Sequence, residues 1–472
     1  MHESKLILTL SKFTQLELKR FSEYLNSPFF HIWTDTNDLL TYIMRYADEW
    51  KHEGLTKENL FAHLYPNLEY DNKKLNKIIS NALDVVENFY CTLYLNKKKV
   101  AYKEPLFDFY HKQQLSTHYN SLNKTVTNEL EQATVKDANY LHELWKYHTI
   151  MEGHKSNAYD RDDISERMDI ESFEVFSITQ QLMYLCDRAI REYFFNETFS
   201  LSLSEGLLCL LKTNTVYLEY PTIKLYYYLY LLLTGEHSYW EDVLALLATI
   251  QLSTWEKTNC YGILQNVCIK KGREEGYSKE LQAQLIALYK QQVASNCYTD
   301  FNGNVAPAFF KNVVTLCLRQ KEFDWCLFFM EQCEEKIQAG HKKEIATLCK
   351  ALWHFEQQLY DETLKLLYLI DTDDVFFNID KRVLEVRTYY ELQEWETTLS
   401  YTNALLVYVH RNKNHSMVRK ISSQNFAKIL KSLISTDKKT LLPRLLEKVN
   451  RMPHISEKAW IKKQIEVKIA SL

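Results

Sequence analysis

Apolar residues recur along this chain at intervals of three and four, the signature of helices with one buried face. From Asp71 to Leu95, residues Leu75, Ile78, Ile79, Leu83, Val86 and Phe89 fall on one stripe. The pattern predicts a long helix that Asp71 caps. The stretch TQLE at Thr14–Glu17 has the form of a capping box and predicts an amphipathic helix to about Leu25, broken before Pro28 in NSPFFH. The basic NKKK at Asn96 and then Pro105 place a boundary near residue 102. A helical hairpin is expected over 106–153, a polar linker in KSNAYDRDD at 155–163, and a long helix from about Arg167 to Phe195. TIKLYYYLYLLL, 222–233, is apolar on every side and reads as a central, buried helix.

A second pattern has a longer period. FEQQLYDETL begins at Phe355 and YELQEWETTL at Tyr390, so that Tyr360 falls on Trp395, Thr363 on Thr398 and Leu364 on Leu399, all at an offset of 35. The same word stands upstream as FDWCL from Phe323, YSKEL from Tyr277 and WEDVL from Trp240, with spacings of 37, 46, 37 and 35 from first to last. Each word has an aromatic residue, usually an acid next, and a Leu four positions on. An aromatic residue and a Leu at i+4 share a helix face, so both are expected to enter a core. The acid belongs in a first turn, where the helix dipole favours negative charge.

A period in the mid-thirties is that of one helical hairpin per repeat. With these words the chain resembles the tetratricopeptide family, whose second helix opens with aromatic, acid, any residue, Ala and a hydrophobic residue. Cys326 and Thr363 take the small-residue place, Val243 and Thr398 stand there in two further words, and Glu280 departs from it. The family's Gly between helices and its Pro at the repeat end are missing, and the long spacing contains the turn-rich DFNGNVAP, 300–307. The resemblance covers about 220–412 and implies stacked hairpins with a concave groove. The stretches ELKRFSEYLNSPFF, LYPNLEYDNKKL and EKAWIKKQIEVKI also resemble an uncharacterised family of bacterial all-helical proteins, a likeness that implies architecture and no activity.

Composition agrees with an all-helical chain. Only 9 Gly and 7 Pro occur in 472 residues, too few for the turns that sheets need. Of the ten Cys, seven lie between Cys260 and Cys349 without a C-x-x-C, as expected of buried free thiols in a reducing compartment. The apolar run Leu6–Leu10 is too short for a signal-peptide core, and 222–233 is shorter than the roughly 20 residues that span a bilayer. These features predict a cytoplasmic protein that does not enter a membrane.

The search for chemistry returns little. The nine Gly form no phosphate-binding loop and no nucleophile elbow. HELWKYH spaces His142 and His148 six apart, about 120° off a shared face, where a zinc-protease helix uses i and i+4. His111 and His118 share a face but lack further ligand types nearby. DTDD, 371–374, fails the calcium-loop pattern and reads as an acidic inter-helix loop. Arg45 and His52, with six residues between them, resemble the loose signature of HEPN-type ribonucleases, which implies that the Arg steadies a phosphate and the His works as acid or base. Neither a metal nor a cofactor is expected.

Charge is distributed unevenly. From Arg411 to the end there are 15 Lys and Arg against 4 Asp and Glu, whereas the preceding 410 residues carry 42 against 57. Arg411, Arg419, Lys420, Lys428, Lys431, Lys438 and Lys439 lie in the densest part, with Lys413, Arg444, Lys448 and Arg451, interleaved with apolar residues at helical period. They are the candidate binding residues. Such a face can be solvated surface balancing acidic repeats, a dock for an acidic protein, or a contact for phosphate backbones.

The expectation is therefore an all-α helical-hairpin repeat solenoid. It has an N-terminal bundle (1–102), hairpins leading into the array (103–219), tetratricopeptide-like repeats (220–412) and basic capping helices (413–472). The expected role is that of a non-catalytic scaffold holding a protein partner in its groove. The alternatives are a nucleic-acid-associated regulator using the basic end, aided by KKLNK at Lys73, and a HEPN-like ribonuclease. Self-association through a Tyr-lined groove is compatible with the same pattern.

Overall fold

The computed structural model describes residues 2–27, 33–95, 99–154, 168–199, 203–300, 303–337, 342–372, 374–412, 417–436 and 439–471. Among them are 23 α-helices, five short 3-10 helices and no strand. The chain divides into two compact units, Met1–Gln181 and Leu182–Leu472.

The first unit holds α1 (Lys5–Leu10), α2 (Gln15–Leu25), α3 (Thr34–Met44), α4 (Lys57–Leu64), α5 (Asn72–Leu95), α6 (Lys99–Lys112), α7 (Ser116–Glu131), α8 (Ala138–Gly153) and the first half of α9 (Met168–Phe195). The capping box is present. The Thr14 hydroxyl accepts from the Glu17 N–H, and the Glu17 carboxylate accepts from the Thr14 N–H at 2.8 Å. Asp71 accepts from the N–H groups of Lys73 and Lys74, which opens α5 where the sequence places it. Leu75, Ile78, Val86 and Phe89 of α5 are buried in a core with Leu6, Phe21, Leu39 and Ile43.

The segment expected to be a hairpin is instead three helices, and α6 runs through Pro105. Glu143 of α8 reaches back to accept from the Val100 N–H at 2.9 Å, satisfying a donor in the first turn of α6. The Glu of HELWKYH thus serves as a helix cap. α6 to α8 close around a second core of Val100, Phe107, Val126, Leu130 and Tyr147. Pro28 and the linker 155–163 lie outside the described residues.

The second unit holds the rest of α9, α10 (Leu203–Thr213), α11 (Pro221–Thr234), α12 (Trp240–Thr249), α13 (Thr254–Glu275), α14 (Lys279–Ala294), α15 (Pro307–Arg319), α16 (Phe323–Cys333), α17 (Lys342–Glu356), α18 (Tyr360–Tyr368), α19 (Val375–Glu391), α20 (Trp395–Arg411), α21 (Met417–Ser435), α22 (Leu442–Arg451) and α23 (Lys458–Ser471). As its all-round hydrophobicity requires, α11 is buried along nearly its whole length, and the Tyr226 hydroxyl finds the buried Glu256 carboxylate at 2.7 Å. Each odd-numbered helix from α11 to α19 packs against the helix that follows it. In addition α11 packs on α13, α15 on α17, and α17 on α19.

Four of the five repeated words start a helix at their aromatic residue: Trp240 of α12, Phe323 of α16, Tyr360 of α18 and Trp395 of α20. The residues they bury differ from the expectation. Val243, Cys326, Thr363 and Thr398, three positions after the aromatic residue, are buried, while Leu327 and Trp395 are exposed. The reason lies in the preceding turn. Lys321, Gln358 and Gln393 all adopt positive φ, between 59° and 64°. The next N–H closes back on the helix just ended, from Glu322 to the Cys317 carbonyl, Leu359 to His354 and Glu394 to Tyr389, at 2.9–3.0 Å. The same C-cap turn precedes three of the words, each time with a non-Gly residue in the left-handed place, and it recurs elsewhere at Gln114 and Asn296. It sets the start of the second helix and rotates the small residue inward. In YSKEL the helix starts later, at Lys279 after the cap Ser278, so Leu281 is the buried residue.

All ten cysteines are free, and eight are buried. No helix among the described residues is long and apolar enough to cross a membrane.

Candidate functional site

A cavity of about 700 Å³ opens in the second unit. Its walls follow from side-chain spacing on successive helices. Residues four apart stack on one helix face, and the lining comes in such sets: Ile269 and Arg273 on α13; Lys311, Thr315 and Arg319 on α15; Leu348 and Leu352 on α17; Asp380, Val383, Leu384 and Arg387 on α19; Arg419 and Ser423 on α21. Leu285 and Tyr289 of α14 and the Glu457 loop complete it. The floor is apolar, with Leu285, Leu316, Leu348 and Leu384 buried.

Charge is concentrated on the walls. Five cations line the cavity, Arg273, Lys311, Arg319, Arg387 and Arg419, against the two acids Asp380 and Glu457. Lys311 and Arg419 converge on the two oxygens of the Asp380 carboxylate. Arg387 is 5% exposed, lies over the Phe355 and Trp460 rings, and pairs with Glu356 at 3.2 Å and Glu457 at 3.1 Å. Glu457 reaches it from a left-handed backbone with φ 52°. Its loop is tied to α21, where the Ser456 N–H donates to the Ser422 carbonyl and the Asn425 amide to the His454 carbonyl. Even so, the Arg387 Nε and the Ser423 hydroxyl are buried without a hydrogen-bond partner among the described residues.

At the other end, Tyr277 packs over Gly272 so closely that a Cβ there would lie 2.4 Å from its ring. Burial raises the Tyr277 phenol pKa, and the nearby Arg273 and Arg319 draw it back. Neither arginine has a carboxylate within ion-pair distance among the described residues, and Arg273 rests over the Phe194 ring.

The basic C-terminal residues go to several places. Arg419 enters the cavity. Arg411 ends α20 exposed, Lys420 is half-exposed, Lys428 is exposed, and Lys431 donates to the Asn403 side chain. On an ideal helix Lys420, Lys428 and Lys431 share an arc of about 80°, with Arg419 about 100° from its nearest member. Lys413, Lys438 and the Lys439 side chain lie outside the described residues. Other cations of this region cap helix ends: Lys468 donates to the Leu433 carbonyl and Lys458 to that of Met452, at 2.8 and 2.7 Å. Arg444 and Lys448 are exposed on α22, and Arg451 pairs with Glu447.

The remaining candidates have structural partners. His52 caps the 3-10 helix Glu53–Leu55, its Nδ1 accepting from the Gly54 N–H at 2.9 Å, and its ring stacks on Tyr46. Arg45 ends α3 over Tyr42. His142 packs on Phe176, and His111 stacks on His154, whose Nε2 meets Asp108 at 3.0 Å. Asp374 caps α19, accepting from the Phe377 N–H. No group of three or more His, Cys, Asp or Glu among the described residues could hold a metal ion.

Reading the sequence for charge runs missed Arg273, Lys311, Arg319 and Arg387. The signal that would have found two of them is polar residues at four-residue spacing inside an otherwise apolar helix, as in FFKNVVTLCLR, where Lys311, Thr315 and Arg319 form a line. Compared with protein-family models, curated proteins and solved structures, the chain matches none.

Proposed function

We propose that residues 220–412 are a degenerate tetratricopeptide-like repeat array and that the protein is a non-catalytic scaffold or adaptor, holding a segment of a protein partner in the groove of that solenoid. One observation carries this reading: the cavity is walled by like faces of α13, α15, α17, α19 and α21, the helices that would be the first of successive hairpins. A groove with an apolar floor and polar walls suits an extended or helical peptide segment. The turn repeated at Lys321, Gln358 and Gln393 supports the repeat assignment.

The test is a photo-crosslinking residue at Asn312, on the cavity wall, compared with one at Lys428 on the outer face of α21. A discrete protein adduct from position 312, abolished by Thr315→Trp, is the expected result. Adducts from position 428 alone, or none from 312, would overturn the groove reading.

A second reading has its own observation. Lys420, Lys428, Arg444 and Lys448 have no ion-pair partner among the described residues, and those on α21 and α22 sit on helices that pack together. This face suits phosphate-backbone contact, which would weaken steeply with salt and be lost on reversing Lys428 and Lys448 to Glu.

A further inference from the structure

We propose that the segment taken up by the cavity is acidic, a stretch of partner polypeptide in which Asp or Glu alternates with apolar residues. The inference rests on the groove reading above and adds the chemistry of its occupant.

Three independent observations lead to it. The first is charge. The first 410 residues are acidic on balance, 57 acids against 42 bases, yet the lining residues drawn from them are four cations, Arg273, Lys311, Arg319 and Arg387, and one acid, Asp380. A random sample of those 410 positions would carry the opposite sign. The second is pairing. Arg273 and Arg319 line the cavity with no carboxylate in reach among the described residues, and Lys311 shares the Asp380 carboxylate with Arg419. An exposed guanidinium is well hydrated alone, but two beside a shared wall favour an anion that can bridge them.

The third observation is the pair of orphan donors. The Arg387 side chain pairs with Glu356 and Glu457 through its terminal nitrogens, but its Nε and the Ser423 Oγ are buried at the cavity wall without a hydrogen-bond partner among the described residues. Buried donors are normally satisfied, because leaving one unpaired costs its full desolvation. A carboxylate oxygen placed between α19 and α21 would accept from one or both. The anion-binding groups therefore form two sets, Arg273 with Arg319 beside Tyr277 and Arg387 with Ser423, in addition to Lys311 and Arg419 on Asp380. The apolar floor of Leu285, Leu316 and Leu348 accommodates the side chains that lie between carboxylates.

The same features favour a peptide over a nucleic acid. Single-stranded nucleic acid is held by exposed aromatic platforms along a continuous basic track. Here the lining aromatics are two: Tyr289, which is buried, and Tyr277, which is exposed but has its ring against Gly272, so no succession of open platforms lines the cavity. The volume of about 700 Å³ suits a few side chains.

The experiment uses the full-length protein and a displayed library of random twelve-residue peptides, with Thr315→Trp as counter-selection so that only cavity-dependent binders survive. The expected result is enrichment of Asp and Glu over the unselected library. For the selected peptides, Arg273→Glu with Arg319→Glu should weaken binding at least about tenfold, equivalent to about 1.4 kcal/mol. Ser423→Ala should weaken it severalfold, and Lys428→Glu with Lys448→Glu should leave it within about twofold, as expected of charges outside the contact. Both arginines are exposed, and an unchanged thermal midpoint confirms that their variant is folded. Cavity-dependent peptides with no acidic bias would overturn the charge inference and leave the groove reading standing. No cavity-dependent peptide at all would overturn both. Cavity-dependent binding of single-stranded RNA in preference to the selected peptides would also overturn the inference.

Discussion

Asp380 makes the sharpest single-residue prediction, because one carboxylate holds two cations from two other helices. Lys311 belongs to α15 and Arg419 to α21, and Asp380 on α19 joins them. The three side chains are between 23% and 30% exposed, so solvent screens the pairs only in part. Charge-assisted hydrogen bonds in such settings contribute about 1.5–3 kcal/mol each. Asp380→Asn keeps the shape and one acceptor but leaves the two cations facing each other. The expected cost is about 2–4 kcal/mol, allowing for partial exposure and for the acceptor that Asn retains. For a unit of this size that lowers the thermal midpoint by roughly 4–8 °C. Calorimetry of the full-length protein reads the effect, and a cycle isolates it. In the background Lys311→Met with Arg419→Met, Asp380→Asn should cost less than about 0.5 kcal/mol, since its partners are gone. A loss below about 0.5 kcal/mol in the native background, or an equal loss in both, would refute the network. The same variant also tests the occupant. With Asp380 neutral, Lys311 is left for a ligand carboxylate, and acidic peptides should bind about tenfold more tightly, the scale of one charge-assisted bond. Weaker binding would contradict the anion-receiving role of this wall.

Two further predictions concern stability alone. Gln358 is exposed with φ 64°, and its backbone N–H donates to the Phe355 carbonyl, so Gln358→Gly should raise stability by about 0.5–1 kcal/mol after the entropic cost of Gly, whereas Gln358→Val should lower it; a destabilising Gly would show that the turn is not as described. His148 is half-buried, and desolvation holds its pKa below the ordinary 6.5 despite a hydrogen bond with the Met168 backbone and the nearby Asp169, Glu171 and Glu152. The unfolded chain therefore binds the proton first as pH falls, and the first unit loses stability from pH 6.5 down to the folded value and levels off below it. His148→Phe should flatten that acid-side loss in thermal scans from pH 7.5 to 5, and an unchanged slope would refute the assignment.

Local features were legible in the sequence, and the reason is the same for each. The capping box at Thr14, the Asp71 cap and the buried stripe of α5 are settled within one or two helical turns, so their residues lie side by side in the chain. The hydrophobicity of α11 requires burial wherever it packs. The repeated aromatic words marked helix starts because a C-cap turn and the acid after it are neighbours in sequence. One detail of those words, the burial of Thr363 and Thr398 in preference to the following Leu, depended on the left-handed residue two positions upstream of the helix, for which Lys and Gln carry no composition signal.

The cavity was decided by tertiary structure. Lys311 and Asp380 are 69 positions apart, and Asp380 and Arg419 are 39 apart. Around Lys311, in AFFKNVV, nothing forms a run of charge. The conspicuous run at the C-terminal end divides when folded: Arg419 turns to the cavity, Lys458 and Lys468 cap helix carbonyls, and Lys428 stays in solvent. Periodicity along one helix tells which residues share a face. Which faces meet, and so which charges converge on one wall, depends on the packing of helices far apart in the chain, and that is information no local stretch contains.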